Sequence, residues 1–232
     1  MTFPDARLTM PALRLHVAGT DAELELDSPR LIIAGYTGRD AAAVAEHIAE
    51  LAAIGVPAPQ SVPAFYELDP GLLTTDPVVD ITGSNTSGEV EPVLIRHKGR
   101  HYLGVGSDHT DRDRERNDIA ASKAACPKPV SEQVIPLPAD LAELDWDTIT
   151  VASTVDGTAY QRGTLDALRT PTDLLTHLAE SLGDIDRDLI VFAGTLPLLN
   201  GHFVPGTRWQ LSLSPSSGTS LAHNYEAKQR TV

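Results

Sequence analysis

The chain has 232 residues, of which 41% are hydrophobic, enough for one large folded domain or for a small domain beside a larger one. Its formal net charge of -14 disfavours nucleic acid as a partner, because nucleic-acid phosphates are bound by clusters of lysine and arginine. The sequence has no run of 18 or more apolar residues and no basic, apolar leader, and its single cysteine excludes an internal disulfide. We therefore expect a soluble, cytoplasmic protein that binds neither nucleic acid nor membranes.

The first 80 residues predict a hairpin, a buried strand and an irregular connection. Residues 12–17 and 22–27 alternate apolar and polar side chains, as half-buried strands do, and a turn signal separates them. Residues 31–35 form a continuous apolar run that ends in glycine, which is typical of a buried strand. The proline-rich stretch 57–80 predicts an irregular connection with extended pieces.

The strongest helix signal lies within this first part, in the sequence TGRDAAAVAEHIAELAAIGVP. Apolar side chains recur at helical spacing from Ala41 to Ala52. Asp40 is a candidate N-cap, and Gly55 and Pro57 are expected to end the helix.

From residue 78 onward the chain is predicted to be rich in strands. The strand patterns cover residues 78–82, 89–95, 101–106, 133–137, 148–157, 158–163, 188–195, 207–215 and 219–225. The turn at 97–100 predicts that the second and third of these strands form a hairpin.

Two further helices complete the pattern, one over 111–123 and one over 171–183. Strands that outnumber helices in this way indicate an α+β fold with a mixed rolled sheet, close to a β-barrel. We expect a small N-terminal α/β portion at 1–70 and a larger domain at 71–232, or one continuous domain.

Three carboxylates predict a cation site. Glu89 and Glu91 are two residues apart in a strand, so they point to one face and repel each other. Asp108 follows the next strand at its loop end. An all-oxygen set of this kind selects hard cations such as Mg²⁺, Mn²⁺ or Ca²⁺. The alternative interpretation is a solvated strand edge, and the spacing alone does not decide between the two.

Two cationic residues follow. Arg112 lies four residues after Asp108, so it shares its side of a helical turn and could hold a substrate carboxylate through its bidentate guanidinium. An ion pair on a helix surface is the alternative. Lys123 lies among small residues, so its ammonium either snorkels to water or stabilises an anion beside a metal.

His47 and Glu50 are three residues apart on the predicted helix and share one face. A histidine oriented by a carboxylate can act as a general base that activates a water. An exposed helical pair is the alternative, and the local sequence favours it.

A series of short motifs, spread over residues 35–225, resembles the fumarylacetoacetate hydrolase superfamily. No one motif is specific, but six in the family's order are. The matching segments are GRDAAAVAEHIAEL, Glu89-Val90-Glu91, SDHTDRD, SKAAC with SEQVIP, VDGTAYQRG, and DLIVFAGT with the closing FVPGTRWQLSLSPSSGTSLAHNY.

The resemblance implies a rolled mixed-sheet domain that forms a homodimer and holds Mg²⁺ or Mn²⁺. Its metal ligands would be Glu89, Glu91 and Asp108. It also implies a small anionic substrate, a 2-oxo acid or β-dicarbonyl compound that chelates the cation through its oxygens. The residues that match the family's substrate-binding positions are Arg112, Gln161, Gly194 and Thr195.

The catalytic residues implied by the same resemblance are His47, Glu50 and Lys123. The histidine and the glutamate would activate a water on a lid-like helix, and the lysine would stabilise an enolate leaving group. The sequence departs from the family in four places. The helix is three residues longer between its glycine and its histidine, and Ser87 stands where many members have an aspartate. Thr207 replaces the usual aspartate of a P-G-D motif, and PAFYEL stands where a phenylalanine-lysine pair is common.

The predicted function is metal-dependent hydrolysis of a C–C bond in an acylpyruvate-like or other 2-oxo acid. A decarboxylase, hydratase, dehydratase or tautomerase would use the same cation and substrate chemistry and is the first alternative. A non-catalytic protein that binds a small acid is the second.

Overall fold

A computed structural model describes residues 12–53, 57–183 and 185–230. It confirms the predicted α+β fold, which consists of a large mixed sheet, a second antiparallel-rich sheet and few helices. Within the described residues, no helix is long and apolar enough to cross a membrane.

The strands are short and are distributed along the whole described chain. Their bounds are Leu13–Val17 (β1), Glu23–Leu26 (β2), Arg30–Gly35 (β3), Ala64–Leu68 (β4), Leu73–Thr74 (β5), Val78–Ile81 (β6), Thr86–Ser87 (β7), Val90–His97 (β8), Arg100–Ser107 (β9), Thr110–Asp111 (β10), Lys128–Pro129 (β11), Gln133–Pro136 (β12), Thr150–Val155 (β13), Thr158–Thr164 (β14), Leu189–Phe192 (β15), Arg208–Ser214 (β16) and Leu221–Gln229 (β17).

Four α-helices and four single turns of 3₁₀ helix are present in the described ranges. The α-helices are Ala41–Ala53 (α1), Arg112–Glu115 (α2), Ile119–Ala124 (α3) and Pro171–Leu182 (α4). The 3₁₀ turns are Pro70–Leu72, Leu141–Glu143, Trp146–Thr148 and Leu165–Ala167.

The large sheet has the order β2-β1-β12-β9-β8-β15-β3-β4. Strands from before and after residue 70 therefore share one sheet. β1 pairs in parallel with β12, and β3 pairs in parallel with β15. The predicted hairpin of residues 12–17 and 22–27 is confirmed as the antiparallel pair β1 and β2.

The second sheet has the order β14-β13-β16-β17-β6 and lies against one face of the large sheet. A single apolar cluster joins the two, with Ile32, Leu94 and Leu103 from the large sheet and Val151 and Leu211 from the second. Burial of each such side chain contributes about 1.5–3 kcal/mol. This cluster is the main core.

The opposite face of the large sheet has its own apolar cluster. Leu31 and Ile33 belong to it, whereas Ile32 between them belongs to the main core. Successive side chains of a strand point to opposite faces, so β3 is apolar on both sides. This explains why residues 31–35 read as a continuous apolar run.

The helices α1 and α4 confirm the predictions for residues 41–52 and 171–183, and a third helix prediction needs correction. Asp40 caps α1, because its Oδ1 accepts from the backbone of Ala42 and Ala43 at 2.9 and 3.2 Å. Gly55, the predicted end of that helix, lies outside the described residues. The single helix predicted over 111–123 is wrong.

The structure has two short helices in that segment, and two aspartates are the reason. Asp111 accepts from the backbone N–H groups of Asp113 and Arg114 in the first turn of α2. Asp118 accepts from Ala121 N at 2.9 Å and so starts α3. An aspartate that caps a helix has an extended backbone conformation, so it cannot lie within a continuous helix.

The hairpin of β8 and β9 positions Glu89, Glu91 and Asp108, the predicted cation ligands. Its two-residue turn, Lys98-Gly99, has φ values of +49° and +75°, the left-handed region that hairpin turns require and glycine favours. The predicted turn at 97–100 is therefore confirmed. The pairing runs the whole length of both strands, from His97 with Arg100 to Val90 with Ser107.

Candidate active site

Closure of the β8–β9 hairpin brings the three predicted carboxylates to one end of the large sheet. Glu91 pairs with Gly106, and Asp108 directly follows the last residue of β9. The backbone N–H of Asp108 donates to the carbonyl oxygen of Glu89 at 3.0 Å. The register of this one hairpin thus brings Glu89, Glu91 and Asp108 to the same end of the sheet, although Asp108 is distant from the other two in the sequence.

Glu91 is buried, with 3% of its surface exposed. Its Oε2 accepts from the backbone N–H of Gly194 at 2.9 Å. Burial, followed by repulsion from Asp108 and Glu89, raises the pKa of Glu91 well above its usual range, although Lys123 opposes the shift. A buried carboxylate with this surplus of negative neighbours is stabilised by any cation that binds beside it.

Gly194 can only be glycine in this structure. Its φ is +103°, and a Cβ atom would stand 1.7 Å from Thr37 Oγ1. The absence of a side chain lets the backbone approach Glu91 closely. Gly194 therefore holds the carboxylate of Glu91 through its backbone N–H.

Asp108 is fully buried between two lysines. Lys123 Nζ donates to its Oδ2, and Lys128 Nζ lies 3.2 Å from its Oδ1. Burial alone would raise the pKa of Asp108, but attraction to Lys123 and Lys128 outweighs it and lowers the pKa. Oδ1 accepts no hydrogen bond within the described part of the chain, because Lys128 directs its protons elsewhere.

Arg112 clamps Glu89. Its Nη2 donates to Glu89 Oε2 at 2.9 Å, its Nε donates to Ser87 Oγ at 2.6 Å, and its Nη1 donates to both oxygens of Glu115. The Phe203 ring covers the guanidinium face, with Cζ 3.5 Å from the ring centroid. Arg112 was predicted to hold a substrate carboxylate, and to do so it must exchange one of these partners.

Gln161 and Thr195 are engaged with the backbone. The Oε1 of Gln161 accepts from Val90 N at 2.9 Å and from Ser153 Oγ at 3.1 Å. Its Nε2 donates to Thr195 Oγ1 at 2.7 Å and to Leu196 O at 2.8 Å. Thr195 in turn donates to Val90 O at 2.9 Å. Both side chains thus hold the strand that carries Glu91, and their predicted contact with substrate stays a prediction.

His47 and Glu50 lie on the surface of α1. Their side chains are 62% and 71% exposed, and His47 Nδ1 lies 3.8 Å from Glu50 Oε2. The two residues do share a face, as their spacing predicts. No hydrogen bond between described residues connects this pair to the carboxylates of β8 and β9.

Lys128 is the site residue that the sequence reasoning missed. It is fully buried, and its ammonium reaches Asp108 from the strand β11. The available signal was its setting, CPKPV, in which a lysine stands between two prolines and apolar residues. A charged residue in such a setting is expected to have a buried partner.

A divalent cation fits the donor chemistry of this cluster. Glu89, Glu91 and Asp108 offer hard oxygen ligands, and the buried Oδ1 of Asp108 lacks a hydrogen bond. In the described residues, no three acidic, histidine or cysteine side chains stand close enough together to hold an ion. Glu89 is paired with Arg112 and Asp108 with Lys123, so a cation would have to compete with these two ion pairs.

Comparison with known proteins identifies the family and the fold. The family DUF2848, described as a protein of unknown function, matches residues 34–225. No curated protein matches the chain. Solved structures of the fumarylacetoacetate hydrolase superfamily match it over almost its full length at low sequence identity.

Three of these structures illustrate the similarity. A protein from Burkholderia cenocepacia, provisionally named a fumarylpyruvate hydrolase, has a TM-score of 0.67 and 15% identity over 100% of this chain and 96% of its own. The fumarylpyruvate hydrolase from Pseudomonas aeruginosa, in complex with Mn²⁺ and pyruvate, has a TM-score of 0.63 and 16% identity over 95% and 97%. The 5-carboxymethyl-2-hydroxymuconate delta-isomerase from Mycobacterium smegmatis has a TM-score of 0.59 and 14% identity over 92% and 87%. The chain therefore belongs to the family DUF2848 and has the fold of the fumarylacetoacetate hydrolase superfamily.

Proposed function

We propose that this protein is a divalent-cation-dependent enzyme that acts on a 2-oxo acid or β-dicarbonyl compound, with hydrolysis of an acylpyruvate C–C bond as the reaction. The observation that carries the proposal is the group of charges at the open end of the β8–β9 hairpin. Glu89 pairs with Arg112, Asp108 pairs with Lys123, and the buried Glu91 is repelled by both other carboxylates. The similar fold of a fumarylpyruvate hydrolase in complex with Mn²⁺ and pyruvate supports this choice of cation and substrate class.

Glu89, Glu91 and Asp108 would hold Mg²⁺ or Mn²⁺. Arg112 fixes the carboxylate of Glu89, and Gly194 fixes that of Glu91. A bound cation supplies Lewis-acid polarisation of the substrate's carbonyl oxygens. The remaining contributions come from the protein's own side chains.

Lys123 would stabilise the negative charge that develops on the substrate. Burial alone would lower the pKa of Lys123, but attraction to Asp108 and Glu89 raises it, so the ammonium stays charged at neutral pH. A fixed positive charge in a buried site stabilises a developing anion more strongly than water does. The ring of Tyr66 lies beside the Lys123 ammonium, with its centroid 5.9 Å from Nζ.

His47 and Glu50 would activate the water that attacks the distal carbonyl. Addition of water across the C–C bond gives pyruvate and a carboxylic acid, and the proton removed from the water returns to the pyruvate methyl carbon. Because the pair is exposed on α1, this role requires the helix to close over the carboxylates.

The test is an assay of the purified protein with acylpyruvates after EDTA treatment and after addition of Mn²⁺ or Mg²⁺. We expect loss of the enol absorbance and release of pyruvate only with the cation. Glu89→Ala should abolish turnover under the same conditions. Full activity of Glu89→Ala in EDTA would contradict the proposal.

The exposure of His47 and Glu50 favours a second candidate, decarboxylation or tautomerisation of a 2-oxo acid. These reactions need the cation and Lys123 but no activated water. His47→Ala separates the two candidates: it should stop acylpyruvate hydrolysis while leaving oxaloacetate decarboxylation or keto–enol exchange unchanged. Loss of hydrolysis together with the other two activities would argue against the second candidate.

A further inference from the structure

Lys128 forms a buried junction behind the carboxylate cluster. Its side chain has no exposed surface. Its Nζ donates to three backbone carbonyl oxygens: His109 O at 2.6 Å, Lys123 O at 2.5 Å and Cys126 O at 3.2 Å. An ammonium has three protons, so these carbonyls account for its full donor capacity.

Two of the three carbonyls, those of His109 and Lys123, belong to the segments that carry the site. His109 directly follows Asp108, and Lys123 itself lies at the C-terminal end of α3. The backbone of Lys128 is fixed independently, because β11 pairs with β5 in the register Lys128 with Leu73. One side chain thus fastens the Asp108 segment and the Lys123 segment to the same strand.

Electrostatics adds to this connection. The Lys128 ammonium lies 3.2 Å from Asp108 Oδ1, whereas Lys123 contacts the other carboxylate oxygen, Oδ2. Asp108 therefore has a cation at each oxygen and has little freedom to rotate. The set of residues implied by the superfamily resemblance contains one lysine, and Lys128 lies outside it.

We propose that Lys128 is a positioning residue, which holds Asp108 and Lys123 in the orientation that cation binding requires. This inference rests on the proposed function, because it assigns Lys128 a role at the same site. A lysine that only stabilises the fold would affect unfolding but not the affinity of the site for a cation.

The experiment compares Mn²⁺ binding by the full-length wild type and by Lys128→Met, with free Mn²⁺ measured by EPR and no substrate present. Loss of an orienting partner typically weakens metal binding 10–100-fold. Removal of a positive charge near Asp108 offsets part of this, so we expect a dissociation constant about tenfold higher. Circular dichroism and thermal melting establish that the variant is folded.

Asp188→Asn is the matched control. It removes the partner of the buried His97, 2.8 Å away, at the opposite end of β8 from Glu91. It should lower the melting temperature but leave the Mn²⁺ dissociation constant unchanged. If Lys128→Met does not fold, Lys128→Gln decides the question, because its amide keeps two donors for the carbonyls while losing the charge.

The outcomes are distinct. Weaker Mn²⁺ binding by a folded Lys128 variant, with the control unchanged, supports the inference. Unchanged or tighter binding overturns it and leaves the proposed function intact. Failure of the wild type to bind Mn²⁺ overturns the proposed function and this inference with it.

Discussion

Two regions that the sequence marks as functional differ sharply in their surroundings. The carboxylates of the β8–β9 hairpin are enclosed, with Asp108 fully buried and Glu91 3% exposed. The pair on α1 is exposed, with 62% of the His47 side chain accessible. The first region is fixed by sheet register and internal ion pairs, whereas the second depends on the position of one helix. Under the proposed function, the site for substrate would be built into the fold, whereas water activation would require α1 to close over the carboxylates.

The largest effect is expected for Asp108→Asn. This change leaves the ammoniums of Lys123 and Lys128 without their common counter-charge, and breaking a buried ion pair costs about 3–5 kcal/mol. Urea unfolding of the cation-free protein measures it. The matched control is Asp147→Asn, which removes the exposed partner of Arg39 and should cost far less, because water screens an exposed ion pair. Equal costs for the two variants would contradict the buried-cluster account.

Gly194→Ala tests the backbone that holds Glu91. A residue with a side chain is strained at φ +103°, and its Cβ would collide with Thr37 Oγ1, so we expect a loss of about 2–4 kcal/mol. Gly99→Ala is the control, because its φ is +75° but no atom lies within 4 Å of its Cβ. That variant should lose only about 1–2 kcal/mol, from strain alone. A smaller loss for Gly194→Ala than for Gly99→Ala would refute the close approach.

The pH dependence of the free energy of unfolding tests the burial of His223 on β17. Burial lowers the pKa of His223 to about 4 from its ordinary value of 6.5. The unfolded chain therefore binds this proton at a higher pH than the folded chain, so stability falls as the pH drops from about 6.5 towards 4. We expect a loss of about 1–2 kcal/mol between pH 6.5 and 5. His223→Asn should flatten this part of the curve in urea unfolding, and an unchanged slope would argue against it.

The smallest effect is expected on α1. His47→Ala and Glu50→Ala remove an exposed pair, so each should change the free energy of unfolding by less than about 0.5 kcal/mol. Neither should alter the Mn²⁺ affinity of the substrate-free protein. A marked loss of Mn²⁺ affinity in either variant would show that α1 lies over the carboxylates before substrate binds.

Much of the fold is local in origin and could be predicted. The alternation in residues 12–17 and 22–27 gave the first hairpin, and the turn at 97–100 gave the second. The partners of parallel strands could not be predicted, because the pairing of β3 with β15 joins residues far apart in the sequence. The break between α2 and α3 did not follow from the polar pattern of residues 111–123, because it depends on the hydrogen bond by which Asp118 caps α3.

The site was predictable to a similar extent. That Glu89, Glu91 and Asp108 lie at the same end of one hairpin could be predicted, because hairpin register follows from sequence spacing. The setting of Lys128, CPKPV, signals a buried lysine but does not reveal the three backbone carbonyl groups that its ammonium contacts. The clamp of Arg112 on Glu89 is likewise visible only once β7, β8 and α2 are folded together.

Titration of the cation-free wild type with Mn²⁺ tests the central claim most directly, with Glu91→Gln and His47→Ala measured beside it. The account predicts that the wild type binds Mn²⁺ saturably and that pyruvate raises its affinity for the cation. The Glu91→Gln variant should lose this binding, and the His47→Ala variant should keep it. A wild type that binds no Mn²⁺, or a Glu91→Gln variant that binds it as the wild type does, would contradict the account.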